Sequence, residues 1–330
     1  MRYYKLLDLS RLYCALLIVF IHMAIGDNYA VLFCLTRQAV PFFFLASGFF
    51  FSKKIKKSNN KLFITKQYVL NILRLYCIWV LLWSPVFIRE YRQLYRDSTI
   101  KLIAALFRRF ALAGIAPYWY LLVLAEGAAI LAFIIKSGRK YIGVLLCAAG
   151  LVLCILYDIQ DVYCQDGLVY RLFFTVFSWR NNVIMFGFPM LFIGAVVESF
   201  EEKIKKRSSI IVLLLLYTVS IILPFAGFYL NKELTSTFHF GAVQGILLFL
   251  ICIHPTILEN MISDKISKGA RNLSSILFLT HTASLTILGE LFHVWDSPVR
   301  YMATLSFSVL LFLIVGKTKM GFLKWLLMQK

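Results

Sequence analysis

The residues RLYCALLIVFIH at 11–22 and PFFFLASGFF at 41–50 decide how this chain folds. The first stretch places a cation, Arg11, and an imidazole, His22, at the two ends of an apolar run. The second combines phenylalanines with a Ser-Gly pair. An ionisable side chain inside a bilayer costs free energy, so such residues are candidates for a functional site. Both stretches lie in longer apolar runs that are typical of membrane helices.

The composition places the chain among membrane proteins. Of its 330 residues, 61% are hydrophobic, whereas soluble domains are roughly 45–50% apolar. The mean hydropathy is +0.79. The first apolar run has no small-residue cleavage site and is followed at once by another apolar run, so we expect no cleaved signal peptide. We predict an all-α, polytopic transmembrane helical bundle, built as a single membrane-embedded domain over residues 1–330.

Apolar segments that approach the length of a membrane span recur about ten times. A helix needs about 20 apolar residues to cross the bilayer core. This length predicts about ten spans, at 6–25, 33–52, 68–88, 117–135, 141–157, 183–199, 209–230, 238–257, 272–292 and 299–316.

Lysine and arginine in the connections predict the orientation, because cytoplasmic loops are enriched in these residues. One set of connections, together with both termini, carries 22 of them, and the opposite set carries nine. Both termini are therefore predicted to be cytoplasmic, with a short basic tail from about residue 317.

The connection 89–116 departs from this rule, because it carries six basic residues on the predicted outer side. The apolar residues Ile100, Ile103, Phe107 and Phe110 within it have the spacing of a helix that lies in the membrane interface. An electropositive rim that holds an anionic glycan or lipid carrier is the alternative.

The net charge of +19 does not indicate nucleic acid. Its basic residues cluster between apolar runs, as membrane loops require, so we expect contact with membrane lipid and no nucleic-acid partner. Six of the seven cysteines lie in or near apolar runs, where cysteine acts as a small packing residue.

Arg11 and His22 are eleven positions apart. At 3.6 residues a turn they share one helix face, about 16 Å apart along the axis. With a cytoplasmic N-terminus, Arg11 lies near the inner surface and His22 near the outer one. The alternatives are an arginine that extends to lipid headgroups and a histidine that serves packing.

Further polar residues interrupt later spans. His281 and Glu126 fall near mid-membrane, Arg74 lies near the inner end of the third span, and Ser47 and Gly48 occupy the second. Each has a structural alternative: a satisfied histidine, a paired carboxylate, an arginine at the headgroups, or a helix packing contact. A metal site built from the two histidines and the carboxylate is conceivable, but the spacing does not support one.

These residues resemble a known family. The chain resembles the acyltransferase 3 family of integral membrane acyltransferases in two stretches. These are Arg11 and His22 with ten residues between them, and FFFLASGFF at 42–50. Later stretches are similar to further motifs of that family: Lys66 to Arg74 with Tyr76, Pro117–Leu121, Phe186–Gly194, and Leu273–Ser275 leading to His281. The chain departs from the family at Phe278, where tyrosine is usual, and at Asn71, where arginine is common.

The resemblance implies an enzyme that moves an acyl group, typically acetyl from cytoplasmic acetyl-CoA, to a hydroxyl of a carbohydrate. The acyl-CoA is the donor substrate, and a cell-surface or lipid-linked glycan at a bacterial inner membrane is the acceptor. The roles that follow from it are phosphate or donor contact for Arg11, Arg74, Ser47 and Gly48, and acid–base or oxyanion chemistry for His22, His281 and Glu126.

Two other functions fit the composition. A membrane exporter of a small molecule or polysaccharide would show inverted repeats and broken helices, and neither is visible in the sequence. A lipid-binding scaffold leaves the Arg11–His22 pair unexplained.

Overall fold

The computed structural model describes residues 4–22, 34–94, 98–110, 114–115, 118–163, 167–168, 171, 181–207, 209–231, 238–255, 257–292, 298–318 and 320–328. Across these ranges the regular structure is helical and no strand occurs, which confirms the all-α prediction. The helices are α1 (Lys5–Ile21), α2 (Ala39–Lys56), α3 (Lys61–Leu94), α4 (Thr99–Arg108), α5 (Trp119–Ser137), α6 (Lys140–Tyr163), α7 (Phe188–Ser199), α8 (Glu201–Arg207), α9 (Ile210–Asn231), α10 (Phe238–Ile253), α11 (Ile257–Met261), α12 (Asp264–Phe292), α13 (Pro298–Lys317) and α14 (Gly321–Leu326).

Within the described ranges, five helical segments are long and apolar enough to cross a membrane: Cys34–Lys56, Lys61–Leu94, Trp119–Ser137, Lys140–Ile159 and Pro298–Lys317. Each of the ten predicted segments contains a helix. Three further apolar stretches are shorter, Val183–Ser199, Ile210–Ala226 and Phe240–Ile253, and α1 and α12 carry an acidic residue in the first turn. The chain is therefore a helical membrane protein. The count of ten spans and the cytoplasmic termini stay predictions.

The contacts divide the chain into two compact units, Met1–Phe43 with Phe200–Lys330, and Phe44–Ser199. We call them the first and second units. In the first unit, α1 packs along α12, which packs on α13. Small residues on α1, among them Cys14 and Ala15, are fully buried and allow close approach. Ala15 and Val19 form a core cluster with Leu277 and Leu285 of α12.

Glycines bring two backbones together in the second unit. A Cβ atom at Gly48 of α2 would collide with the backbone of Leu191 in α7, and one at Gly194 with the backbone of Leu45. The chain enters α7 through a π-helical turn, Val183–Gly187, that begins after Asn182. The Asn182 side chain accepts hydrogen bonds from two backbone amides of this turn, at 2.9 Å each.

The interfacial segment predicted within residues 89–116 contains α4. Its N-terminus is capped by Ser98, whose hydroxyl accepts from the backbone amide of Lys101. Ile100, Ile103 and Phe107 are 80%, 62% and 72% exposed. The helix and its exposed apolar face confirm the helical spacing predicted for Ile100, Ile103 and Phe107. Residues 111–113 lie outside the described ranges. Its place in the membrane interface stays a prediction.

Candidate active site

Helices α1 and α12 run parallel and in register along the whole length of α1. Three pairs of side chains mark this register, each separated by 259 residues: Lys5 Nζ with Asp264 Oδ1 at 2.8 Å, Asp8 Oδ2 with Ser267 Oγ at 2.9 Å, and His22 with His281 at 5.1 Å between ring centroids. A constant separation is the signature of two helices that rise side by side in the same direction. The helix pair therefore presents polar residues at both of its ends.

His22 and His281 meet at one end of this pair. His22 follows the last residue of α1, and its backbone N–H still bonds the helix at the carbonyl of Val19, 3.2 Å away. The His281 side chain is buried within the helix packing, with 2% of its surface exposed. The planes of the two rings are tilted by 39°. The predicted acid–base histidines are thus adjacent.

The contacts of His281 fix its tautomer. Its Nδ1 lies 3.0 Å from the carbonyl oxygen of Leu277 and 2.9 Å from that of Phe278. A carbonyl can only accept a hydrogen bond, so Nδ1 carries the hydrogen and Nε2 of the neutral ring carries the lone pair. This Nε2 is buried without a hydrogen-bond partner in the described part of the chain. His281 therefore offers a proton acceptor on the ring that faces His22.

Two hydroxyls next to His281 have the same character. The Oγ1 of Thr282 and the Oγ of Ser284 are buried, and among the described residues neither has a hydrogen-bond partner. Ser284 lies three positions beyond His281, on the same side of α12. A cluster of buried, unsatisfied polar atoms indicates that a water or a ligand completes it. Sequence reasoning missed both residues, because serine and threonine are common in membrane helices.

The other end of the helix pair is a charge cluster around Asp8. This carboxylate is 4% exposed and accepts a hydrogen bond from Ser267 Oγ at 2.9 Å. Arg11 NH1 lies 3.3 Å from its Oδ1, and Arg271 NH1 lies 3.7 Å from its Oδ2. Arg11 is therefore engaged by a carboxylate rather than merely extended towards headgroups. Asp8 was detectable in the sequence, as a carboxylate one turn before Arg11, but Arg271 resembled an ordinary loop cation.

The second unit holds the other predicted donor-binding residues. The Ser47 hydroxyl lies 3.2 Å from that of Tyr120 on α5. Gly48 serves the backbone contact with Leu191. The Arg74 side chain on α3 is exposed. That these residues bind the acyl donor, and that they belong to one site, stay predictions.

Glu126 lies in the middle of α5 in the same unit. Its Oε2 is buried and lacks a hydrogen-bond partner among the described residues. A carboxylate oxygen in this situation is protonated or faces water or a ligand. The acid–base role of Glu126 stays a prediction.

Comparison with known proteins decides the family. Residues 4–317 match the family model of acyltransferase 3, which is described as an acyltransferase domain. The chain belongs to the acyltransferase 3 family. No curated protein and no solved structure gives a significant match. This acyltransferase is therefore a membrane-embedded enzyme, as its residues predicted, and the family match spans both units.

The family's late tyrosine is replaced by Phe278 in this acyltransferase. The Phe278 ring lies 6.4 Å from the ring of His281 and 6.3 Å from that of Phe43. Its backbone carbonyl accepts the Nδ1–H of His281. The hydrogen bond that fixes the His281 tautomer therefore needs no tyrosine hydroxyl.

Lys5 of this acyltransferase forms an ion pair at the start of α12, outside the predicted membrane segment. Its ammonium group donates to the carbonyl of Ile262 and pairs with Asp264, each at 2.8 Å. This hydrogen bond and the charge of Lys5 lower the pKa of the Asp264 carboxyl below its ordinary value. The described part of the chain contains no group of three or more metal-ligating side chains.

Proposed function

We propose that this membrane acyltransferase moves an acyl group, acetyl in the first instance, from cytoplasmic acyl-CoA to a hydroxyl of a cell-surface or lipid-linked carbohydrate. One observation carries the proposal: the parallel pair of α1 and α12 has a histidine pair at one end and an arginine–carboxylate cluster at the other. The histidines supply base chemistry, and the arginines suit an anionic donor.

The spacing along α1 suits acyl-CoA. Arg11 and His22 are about 16 Å apart along the helix axis, which is the reach of an extended pantetheine arm. A phosphate group held beside Arg11 would thus place the thioester near His22. Arg74, Ser47 and Gly48 are the further donor-side residues of the proposal.

The proposed chemistry is a direct transfer at the histidine end. His22 removes the proton from the acceptor hydroxyl as its oxygen attacks the thioester carbonyl. The tetrahedral intermediate collapses, the carbon–sulfur bond breaks, and the CoA thiolate leaves and takes up the proton. In the proposed reactive complex, the unsatisfied Nε2 of His281 would accept a hydrogen bond from the far ring nitrogen of His22 and so hold His22 in the reactive tautomer. Glu126 is the further candidate for proton exchange with the site.

The helix directions support the proposed topology. Ten spans with cytoplasmic termini require the first and ninth spans to point the same way, and α1 and α12 are parallel. The Tyr4 hydroxyl bonds Glu201 and Lys5 bonds Ile262. Glu201 and Ile262 lie in two connections that were predicted to be cytoplasmic, so these bonds bring the N-terminus to connections of its own predicted side. A bacterial inner membrane with a cytoplasmic supply of acyl-CoA is the proposed location.

The experiment uses the purified acyltransferase in sealed vesicles that carry bacterial surface glycan, with acetyl-CoA labelled in the acetyl group. The proposal predicts that the label becomes covalently attached to carbohydrate and that one free thiol of CoA appears for each acetyl group transferred. Vesicles without the protein measure spontaneous acetylation. Solute movement across the vesicle membrane without acetylation above that background would favour the exporter alternative.

A further inference from the structure

The histidine end of the site lacks a hydrogen-bond donor for the proposed reaction. When the acceptor hydroxyl attacks, the carbonyl oxygen of the thioester gains negative charge, and a preorganised donor stabilises such an oxygen. His281 already gives its Nδ1–H to the carbonyls of Leu277 and Phe278, and its Nε2 can only accept in the neutral ring. His22 acts as the base. The donor is therefore expected from another side chain at this end of α12.

Hydroxyl groups on α12 and α13 commonly bond to the backbone of their own helix. A serine or threonine inside a helix can donate to the carbonyl of the residue three or four positions earlier. Such bonds, 2.8–3.1 Å long, are formed by Ser274, Ser275, Thr280, Thr304 and Ser308. A buried hydroxyl that departs from this pattern keeps its hydrogen available for another acceptor.

Thr282 departs from the pattern for a local reason. The carbonyl four positions before it belongs to Phe278, and this carbonyl already accepts the Nδ1–H of His281 at 2.9 Å. The hydrogen bond that fixes the His281 tautomer thus explains why the Thr282 hydroxyl has no partner in the described part of the chain. Thr282 by itself gives no evidence of a ligand.

Ser284 departs from the pattern without such a reason. The carbonyl of Thr280, four positions before it, receives no side-chain hydrogen bond in the described ranges. Ser284 Oγ nevertheless lacks a partner there, and the residue is 5% exposed. It lies one turn beyond His281 on the same side of α12, where Cβ atoms are about 5–6 Å apart. This hydroxyl is therefore placed to donate to a group that is bound beside the histidines.

We propose that Ser284 is a catalytic residue that donates a hydrogen bond to the thioester carbonyl oxygen of the bound acyl-CoA. This inference rests on the proposed function and adds a residue to its site. As the acceptor oxygen bonds to the carbonyl carbon, the π electron pair of the carbonyl moves onto its oxygen, where the Ser284 O–H stabilises it. The pair then re-forms the carbonyl as the carbon–sulfur bond breaks and the CoA thiolate leaves. Ser284 keeps its own proton throughout.

Acetyl transfer in the vesicle assay tests this role. Ser284→Ala is expected to lower kcat about a hundred- to a thousandfold, with the KM for acetyl-CoA changed less than threefold. Ser284→Thr keeps a hydroxyl and is expected to stay within tenfold of wild type. Thr280→Val is the matched control. It removes a buried hydroxyl next to His281 that bonds the carbonyl of Ile276 in its own helix, and it should keep nearly full activity.

Infrared spectroscopy of bound acetyl-CoA gives a reading that a purely structural role would not change. With ¹³C in the acetyl carbonyl, the thioester band is expected at lower frequency in wild type and Ser284→Thr than in Ser284→Ala, because a hydrogen bond weakens the carbonyl bond. If Ser284→Ala does not fold, Ser284→Cys, whose thiol is a weak donor, takes its place in both measurements with the same expected direction.

The inference is overturned if Ser284→Ala turns over within threefold of wild type with an unchanged carbonyl band, or if Ser284→Ala and Ser284→Thr lose activity equally. Normal acetyl transfer by Ser284→Ala would reject the role of Ser284 and leave the proposed function standing. A carbonyl band that depends on Ser284, without label on carbohydrate in wild type, would retain the contact with the donor and reject the proposed function.

Discussion

The imidazole rings of His22 and His281 contact each other across two parallel helices, with their centroids 5.1 Å apart. This contact has the same separation of 259 residues as the hydrogen bond between Asp8 and Ser267. Both ends of the site are therefore set by one register between α1 and α12. A shift of that register would displace the base and the arginine cluster together.

His281 is expected to position His22 rather than to contact the donor. His281→Ala removes the acceptor nitrogen and should lower kcat for acyl transfer about hundredfold, because His22 then loses its fixed orientation. The KM for acetyl-CoA should change less than threefold. Phe278→Tyr is the matched control, since only the backbone of Phe278 bonds His281, and it should keep nearly full activity. A loss of acetyl-CoA affinity in His281→Ala would contradict the positioning role.

Gly48 is expected to be required for helix packing. Gly48→Ala introduces a methyl group against the backbone of Leu191 and should destabilise the protein by about 1–3 kcal/mol. Gly269 lies in α12, and no atom comes within 4 Å of the place that a Cβ atom would take there, so Gly269→Ala should stabilise the helix by about 0.5–1 kcal/mol. Thermal unfolding in detergent measures both, and equal melting temperatures for the two variants would refute the packing account.

The ion pair of Lys5 with Asp264 is expected to stabilise the fold only above acidic pH. Lys5 lowers the pKa of Asp264 in the folded protein. The stabilisation is therefore present above the unfolded pKa of about 4 and is lost as the pH falls through the folded value. Asp264→Asn should melt slightly below wild type at pH 7, and the difference should vanish at low pH.

Lys5→Met is the control for this ion pair. Its melting temperature should also approach that of wild type as the pH falls. The pair is largely exposed on the Asp264 side, so the difference at neutral pH should be small and should decrease with added salt. A difference that grows on acidification would contradict the assigned sign.

The apolar face of α4 is expected to contact lipid. Phe107 is 72% exposed, and with Ile100 and Ile103 it forms a continuous apolar face. A photoreactive benzoylphenylalanine at position 107 should crosslink to phospholipid in nanodiscs. The same group at Lys101, on the polar side of the helix, should crosslink much less. Equal lipid crosslinking at both positions would argue against an interfacial helix.

The sequence was sufficient for most of the helices, and it singled out His22 and His281 individually but not their contact. Apolar length alone predicted the segment 183–199, which the structure shows as a π-helical turn followed by α7. The spacing of Arg11 and His22 predicted a shared face. His22 contacts His281 of α12, and Arg11 pairs with Asp8, which itself contacts α12. The apolar segments and the shared face are local to one helix, so a period of 3.6 residues specifies them.

The arginine end shows why other features escaped prediction. Arg271 precedes the predicted ninth span and looked like a cytoplasmic loop cation, whereas α12 begins earlier, at Asp264. Its partner Asp8 is 263 residues away in the chain. No local pattern encodes a contact at this separation, because it depends on which helices are neighbours. The unsatisfied hydroxyl of Ser284 likewise becomes informative only once its surroundings are known.

Two substitutions on α1 test the account most directly when they are measured together. Acyl transfer from labelled acetyl-CoA to vesicle glycan and CoA affinity by calorimetry are determined for His22→Ala and Arg11→Gln. The account predicts that His22→Ala lowers transfer by a factor of about 10²–10⁴ with CoA affinity retained. Arg11→Gln is predicted to lose CoA affinity about ten- to hundredfold. Full acyl transfer by His22→Ala, with CoA bound as in wild type, would contradict the central claim.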